Sequence, residues 1–172
     1  MDDRAERFRG LFDASYQPLL AYARRRCGHD DADDLVAEVL TVAWRRLDDV
    51  PTDASLPWLY GVARRTLANQ RRGGDRRRRL LERLRGQPPV GGSAADADPA
   101  ILGALASLRH EDQELLRLAA WEELTAADIA VVLGCSANAA ALRLSRARRK
   151  LRDAMTDLEP DPTETSRRTA DG

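Results

Sequence analysis

Residues 124–151 read LTAADIAVVLGCSANAAALRLSRARRKL, and the order of cap, glycine and second cap in that stretch predicts two helices joined by a tight turn. Thr125 stands three residues before Asp128, the spacing at which a side-chain hydroxyl and a carboxylate serve each other's backbone N–H groups in a capping box. Ile129, Ala130 and Leu133 then fall on one side of the first helix. Gly134 supplies the left-handed residue that ends a helix without a Cβ penalty, and Ser136 caps the next one. In that second helix Ala140, Leu144, Ala147 and Leu151 recur at steps of four, three and four, a stripe that packs inward.

The opposite side of this helix carries Asn138, Leu142, Ser145 and Arg149, flanked by Arg146 and Arg152. Such a face fits the major groove, where Arg donates two bonds to guanine and Asn pairs with adenine. Arg143 and the remaining arginines would hold phosphates and set register. Leu142 is the odd member, suited to a thymine methyl or to a protein surface. The bland alternative is a solvated basic helix end, since cations near a helix C-terminus are favoured in any case.

Working outward, residues 100–158 form a helical unit around this motif, and residues 159–172, EPDPTETSRRTADG, have the composition of a disordered tail. Residues 86–99, GQPPVGGSAADADP, read as a linker, too poor in large apolar residues to build a core. A flexible stretch of that length spans about 20 Å and at most roughly 45–50 Å, so the two units could sit apart on an extended target. Residues 1–85 read as a second bundle of three or four helices. Phe8, Leu11, Phe12, Leu19, Leu20 and Tyr22 have helical spacing, with Pro18 expected to bend or restart that helix. Asp30 or Asp31 caps a helix running to about Leu47. Pro57 suits the first position of another, expected to stop at Gly73-Gly74. With aromatics at 5% and no alternating β-branched runs, the chain is predicted to be all-α, two small helical domains joined by a flexible linker.

The formal net charge of zero hides segregation along the chain. Residues 30–50 hold seven acids against Arg45 and Arg46, residues 61–85 hold ten arginines against Asp75 and Glu82, and residues 141–152 hold six bases and no acid. The blocks point to separate partners: basic ones to nucleic acid, the acidic one to a basic protein surface. On the helix from Asp31 to Leu47, Asp34, Glu38, Thr41 and Arg45 share an outer stripe near Leu35 and Trp44, which fits either a protein-binding face or an ordinary amphipathic helix. On the helix from Pro57 to Arg72, Leu59, Ala63 and Leu67 face inward, while Arg64, Arg65, Asn69, Arg71 and Arg72 lie largely outside. Trp58 and Tyr60 stand beside them, where rings could stack on unpaired bases or simply fill the core.

Some chemistry is excluded. Cys27 and Cys135 are distant in sequence, and His29 and His110 have no metal-ligand spacing, so no disulfide framework, zinc site or cofactor is expected. No nucleophile–base arrangement or Gly-rich phosphate loop suggests an enzyme or a small-molecule substrate. The absence of a signal peptide and of an apolar run near 18 residues implies a cytoplasmic chain without direct membrane insertion.

The segments DADDLVAEVLTVAWRRL, LPWLYGVARRTLANQRR, LRHEDQELLRLAAWEELTAADIAVVLGCS and RLSRARRKL together resemble the extracytoplasmic-function sigma factors of the sigma-70 family, over most of residues 5–155. The resemblance implies that Asp33, Asp34, Leu35 and Glu38 bind the clamp helices of core RNA polymerase. It implies that Asp48–Leu56 and the helix Pro57–Arg72, with Trp58, Tyr60, Arg64, Arg65, Asn69, Arg71 and Arg72, read and help melt the −10 element of promoter DNA. Ser136, Asn138, Leu142, Arg143, Ser145, Arg146 and Arg149 would then meet the −35 element. It also implies an anti-sigma factor as partner and no catalytic residues. The chain departs from the family at Ala37, where Gln is usual, at Arg65, where many members carry Asn, and at Ala139–Leu142, where Thr-Val-Lys-Ser is usual. Two other readings remain: a helix-turn-helix regulator that binds operators itself, and a decayed sigma relative acting only through protein contacts.

Overall fold

A computed structural model describes residues 3–82 and 98–158, in which seven α-helices and one 3-10 turn are found and no strand. The side chains of Arg71 and of residues 73–82 fall outside that description, as do residues 83–97 and 159–172, which include nearly all of the expected linker and the whole of the expected tail.

Helix α1 (Asp3–Cys27) contains Pro18 without interruption, so the helix does not restart there. Proline removes the bond from its own nitrogen to the carbonyl four residues back and crowds that carbonyl with its ring; here the carbonyl belongs to Ala14, an exposed residue that water can reach. Leu19, Leu20, Tyr22 and Ala23, all buried directly after it, hold the helix against its neighbours. Gly28 at φ +83° ends the helix, its N–H bonded to the Arg24 carbonyl at 3.1 Å.

Helix α2 (Ala32–Arg45) starts after Asp31, whose side chain makes no capping bond, so the acids of its first turn act through the helix dipole alone. It stops two residues earlier than expected, and Leu47–Asp49 form the 3-10 turn. Helix α3 (Ser55–Glu82) begins two residues before Pro57, which therefore sits third rather than first. The first four amides of a helix have no internal acceptor, so the proline is equally harmless there. The helix also runs straight through Gly73-Gly74. Each glycine costs about 1 kcal/mol against alanine, and the arginines around the pair are good helix formers.

The second unit comprises α4 (Pro99–Ser107), α5 (His110–Ala120), α6 (Ala126–Leu133) and α7 (Ala137–Leu158). Pro99, assigned by sequence to the linker, is the first residue of α4, and Asp98 caps it by accepting from the Ala100 N–H at 2.9 Å. The capping box of α6 is present in both directions: Asp128 N–H to Thr125 Oγ1 at 3.2 Å, and Thr125 N–H to Asp128 Oδ2 at 3.0 Å. Gly134 is left-handed at φ +65°, and Ser136 accepts from the Ala139 N–H at 3.2 Å. Ile129, Ala130 and Val132 are buried in α6, with Ala140, Leu144 and Ala147 in α7.

The two units do not sit apart. One hydrophobic cluster runs from Leu19, Val39 and Leu59 in the first to Leu118, Ile129 and Leu144 in the second. Helix α3 packs on α6 at Gly61, where an added Cβ would come within 3.1 Å of the Val132 carbonyl oxygen. The glycine is there because the two backbones touch. No single helix among the described residues is long and apolar enough to cross a membrane.

Candidate functional site

The outer face of α7 stands as its periodicity requires. With Ala140, Leu144 and Ala147 buried, Asn138, Leu142, Ser145 and Arg149 are all exposed, and so are Arg143 and Arg146. Leu142 is 50% exposed, a large apolar side chain with no core to serve. Ser136 is exposed too, but its hydroxyl is committed to the helix cap. Arg143, Arg146 and Lys150 share a flank one quarter-turn round and line a cleft of 410 Å³ with Glu111, Asp112, Glu114 and Arg64. Lys150 donates to Asp112 at 2.6 Å across it.

Helix α3 presents Arg65, Asn69 and Arg72 at the surface with Arg64 half-buried, and Arg72 donates to Asn69 Oδ1 at 2.6 Å. Arg65 is pushed below the usual guanidinium range, first by burial and then by Arg46 and Arg64. Three crowded cations of this kind are an anion site in electrostatic terms, because a phosphate would relieve their mutual repulsion. Arg46, at the end of α2, also lies 5.6 Å from the centre of the Trp58 ring. Sequence reading missed it; its only local signal was its place at the mouth of the 48–56 loop. Trp58 is half-buried against the core, with the Arg46 guanidinium over its ring.

Tyr60 and Leu35 fall elsewhere than a contact role requires. Tyr60 is 2% exposed and stacks on Tyr22 with ring centres 4.7 Å apart, so no base can reach its face in this arrangement. Its phenol is pushed up to about 12, by burial first and then by Glu122. Leu35 is 1% exposed, packed with Val36, Val39 and Leu40 in the core. It sits four residues before Val39, on the inward stripe of α2. The acidic face of α2 is thus Asp33, Asp34 and Glu38 without the leucine, all three exposed. Glu38 accepts from Gln70 Nε2 at 3.2 Å, joining the acidic face to the arginine face of α3. At the far end of α2, Trp44 packs edge-on against Phe8 and remains partly exposed.

Charged residues absent from the sequence reading join the two units. Arg26 of α1 donates to Glu114 of α5 at 3.1 Å and to Glu122 at 2.8 Å. Arg25 pairs with Glu122 as well, and the Tyr22 hydroxyl lies 3.4 Å from Glu114. The Arg26 guanidinium stacks 3.6 Å from the Tyr22 ring centre. Burial opposes its charge, but Tyr22, Glu114 and Glu122 outweigh that and hold it protonated. Burial likewise lifts the Tyr22 phenol well above its ordinary value. Beside the network lies a cleft of 780 Å³ with Arg64, Arg65, Asn69 and Arg72 on one wall and His110, Glu111, Glu114 and Arg117 on the other.

Two family models match the chain: "Sigma-70 region 2" over residues 11–79 and "Sigma-70, region 4" over residues 99–151. Among solved structures, the chain is similar to the sigma factor RpoE of Bartonella quintana, solved with the anti-sigma factor NepR. The identity is 22%, the coverage 93% of this chain and 100% of that one, and the TM-score 0.60. It is similar to CnrH, solved with the cytosolic domain of CnrY, at 26% identity, 89% coverage of each chain and a TM-score of 0.57. The PhyRSL–NepR complex from Sphingomonas sp. Fr1 matches at 17% identity, 89% of this chain and 92% of that one, with a TM-score of 0.63. A comparison with curated protein sequences gave no match.

Proposed function

Since the chain belongs to the sigma-70 family, with its regions 2 and 4 in order, we propose that it is an RNA polymerase sigma factor that recruits core polymerase to promoters. The observation that carries this reading is the pairing, within the first unit, of an exposed acidic face on α2 with an arginine face on α3, bonded through Glu38 and Gln70. A regulator that only binds operators needs the helix-turn-helix but has no use for that pair.

In this reading Asp33, Asp34 and Glu38 meet a basic surface of the polymerase, by charge rather than by the buried Leu35. Arg64, Arg65, Asn69, Arg71 and Arg72, with Arg46 and Trp58, engage the −10 strand: the cations take phosphates and the tryptophan ring stacks on a base. The outer face of α7 enters the major groove of the −35 element, with Asn138 and Arg149 as hydrogen-bonding readers, Leu142 as an apolar one, and Arg143 and Arg146 on phosphates. Bond-making belongs to the polymerase. An anti-sigma protein is the further partner that fits, in line with the RpoE–NepR likeness.

The test is promoter-dependent transcription from a supercoiled genomic library with purified core polymerase and this chain. Specific starts that require the chain are expected. No binding to core polymerase at physiological salt overturns the reading.

A further inference from the structure

The cleft of 780 Å³ between α3 and α5 has the volume of a small-molecule site. Three helices supply its cations: Arg25 and Arg26 from α1, Arg64, Arg65 and Arg72 from α3, and Arg117 from α5. Against these six stand Glu111 and Glu114 on its lining and Glu122, the partner of Arg25 and Arg26, an excess of three positive charges among the described residues. Arg65, Asn69 and Arg72 follow one helix at steps of four and three, a row that suits an extended strand. Arg25, Arg26 and Arg117 lie off that row, on α1 and α5, where a strand following α3 would not need them.

Two further features call for an acceptor in the same place. Arg26 gives Nε to Glu114 and Nη1 to Glu122, and Arg25 gives Nη2 to Glu122. Arg26 Nη2 and Arg25 Nε are buried and meet no acceptor among the described residues. Buried donors of that kind are rare and point to a bound ion or water. Helix α5 also begins at this cleft: His110 and Glu111, its first two residues, line it, and Arg109 provides no side-chain cap. The first amides of a helix lack internal acceptors, and the positive end of its dipole favours an anion.

We propose that this cleft binds a compact polyphosphate, a chain of two or more phosphates either free or carried on a nucleoside, and that the bound chain excludes a DNA strand from the arginine face of α3. A phosphate chain concentrates its charge at one place, as these cations converge from three helices; a strand spreads its charge along its length. Guanidinium forks donate to phosphate oxygens in pairs. The Tyr22 ring is buried between Tyr60 and Arg26, so recognition falls on the phosphates rather than on a base. The phosphate site stands on geometry alone; only its consequence for transcription rests on the sigma-factor reading.

Isothermal titration calorimetry on the full chain with sodium tripolyphosphate, orthophosphate and ATP measures the site directly. One tripolyphosphate per chain is expected, bound roughly tenfold or more tightly than orthophosphate as further charge-assisted bonds form. Arg25→Gln and Arg117→Gln should each weaken it roughly tenfold while leaving the affinity for a labelled oligo(dT) near parental. Glu111→Gln, at an exposed position, should tighten it. In fluorescence anisotropy, tripolyphosphate should displace oligo(dT) from the parent at concentrations that fill the site. ATP binding as tightly as tripolyphosphate assigns the site to nucleoside-borne chains, and exclusion of ATP assigns it to free polyphosphate.

No saturable binding overturns the proposal, as does tripolyphosphate that binds without displacing oligo(dT). Retained affinity in helical Arg25→Gln and Arg117→Gln chains does the same. An equal loss in the Arg148→Gln/Arg152→Gln chain, whose cations are exposed on α7 and do not line this cleft, would reduce the binding to diffuse attraction and overturn it too. Should Arg25→Gln or Arg117→Gln lose helical signal, Glu111→Gln decides, and unchanged affinity there sinks the site. Tripolyphosphate binding as expected, but no transcription with core polymerase, would sink the sigma-factor reading and leave the site standing.

Discussion

The two basic surfaces of the molecule are alike in composition and opposite in circumstance. The outer face of α7 is open, with Asn138, Leu142, Ser145 and Arg149 clear of the rest of the chain. The arginine face of α3 looks across a cleft at Glu111 and Glu114, and its cations crowd one another. Both faces remain accessible, but only the one on α3 has carboxylates near enough to offset part of its charge.

The largest expected effect falls on the arginine face of α3. Arg64→Ala with Arg65→Ala should lower transcription and oligo(dT) binding roughly 100-fold, as two charge-assisted contacts are lost. The loss should shrink as salt is raised, because the parent's electrostatic advantage fades. Equal sensitivity at low and high salt would break the contrast with α7.

Next comes the seam between the two units. Tyr60 is pushed up to about 12 from an ordinary value near 10, so it holds its proton more tightly in the folded chain. Its contribution is fully present below pH 10 and is lost as pH rises from about 10 to 12, and Tyr22 shifts in the same sense. Thermal unfolding followed by circular dichroism should fall across that window, and Tyr60→Phe should flatten the fall.

On the open face, Leu142→Ala should weaken duplex promoter binding by roughly fivefold, about 1 kcal/mol, where a thymine methyl is contacted. It should change little when that thymine is replaced by uracil. No loss on either duplex would assign Leu142 to a protein partner instead. Smallest in its effect on DNA, Thr125→Ala removes one half of the α6 capping box and should cost about 1 kcal/mol of stability, read as a lowered Tm, with oligo(dT) affinity unchanged.

Asp33 and Leu35 show how far periodicity carries. Both belong to one acidic helix, and counting by 3.6 places Leu35 with Val39 inside and Asp34 with Glu38 outside. The resemblance to a family nevertheless groups Leu35 with the contact residues, because a motif records neighbours in sequence and not the side each one faces. Tyr60 is a similar case. An aromatic beside arginines has the composition of a strand-binding site, yet its partner is Tyr22, thirty-eight positions earlier in the chain. Gly73-Gly74 misled in another way: glycine is a common helix terminator, but its cost is small enough for a run of arginines to carry α3 through it.

The helix-turn-helix was legible in full. Thr125, Asp128, Gly134 and Ser136 act on backbone groups within three or four residues, and the stripe from Ala140 to Leu151 needs nothing but helical geometry. Local hydrogen bonds and a fixed helical period obey rules that a sequence displays directly, so fold class, the two units and the outer face of α7 followed from it alone. The packing of one unit on the other did not. Arg26 meets Glu114 and Glu122 across 88 and 96 residues, and Gly61 meets Val132 across 71. Pairings that distant depend on how whole helices stack, and no spacing along the chain encodes them. Only the tertiary structure could decide that the arginine face of α3 looks across a cleft at α5 while the outer face of α7 stands clear.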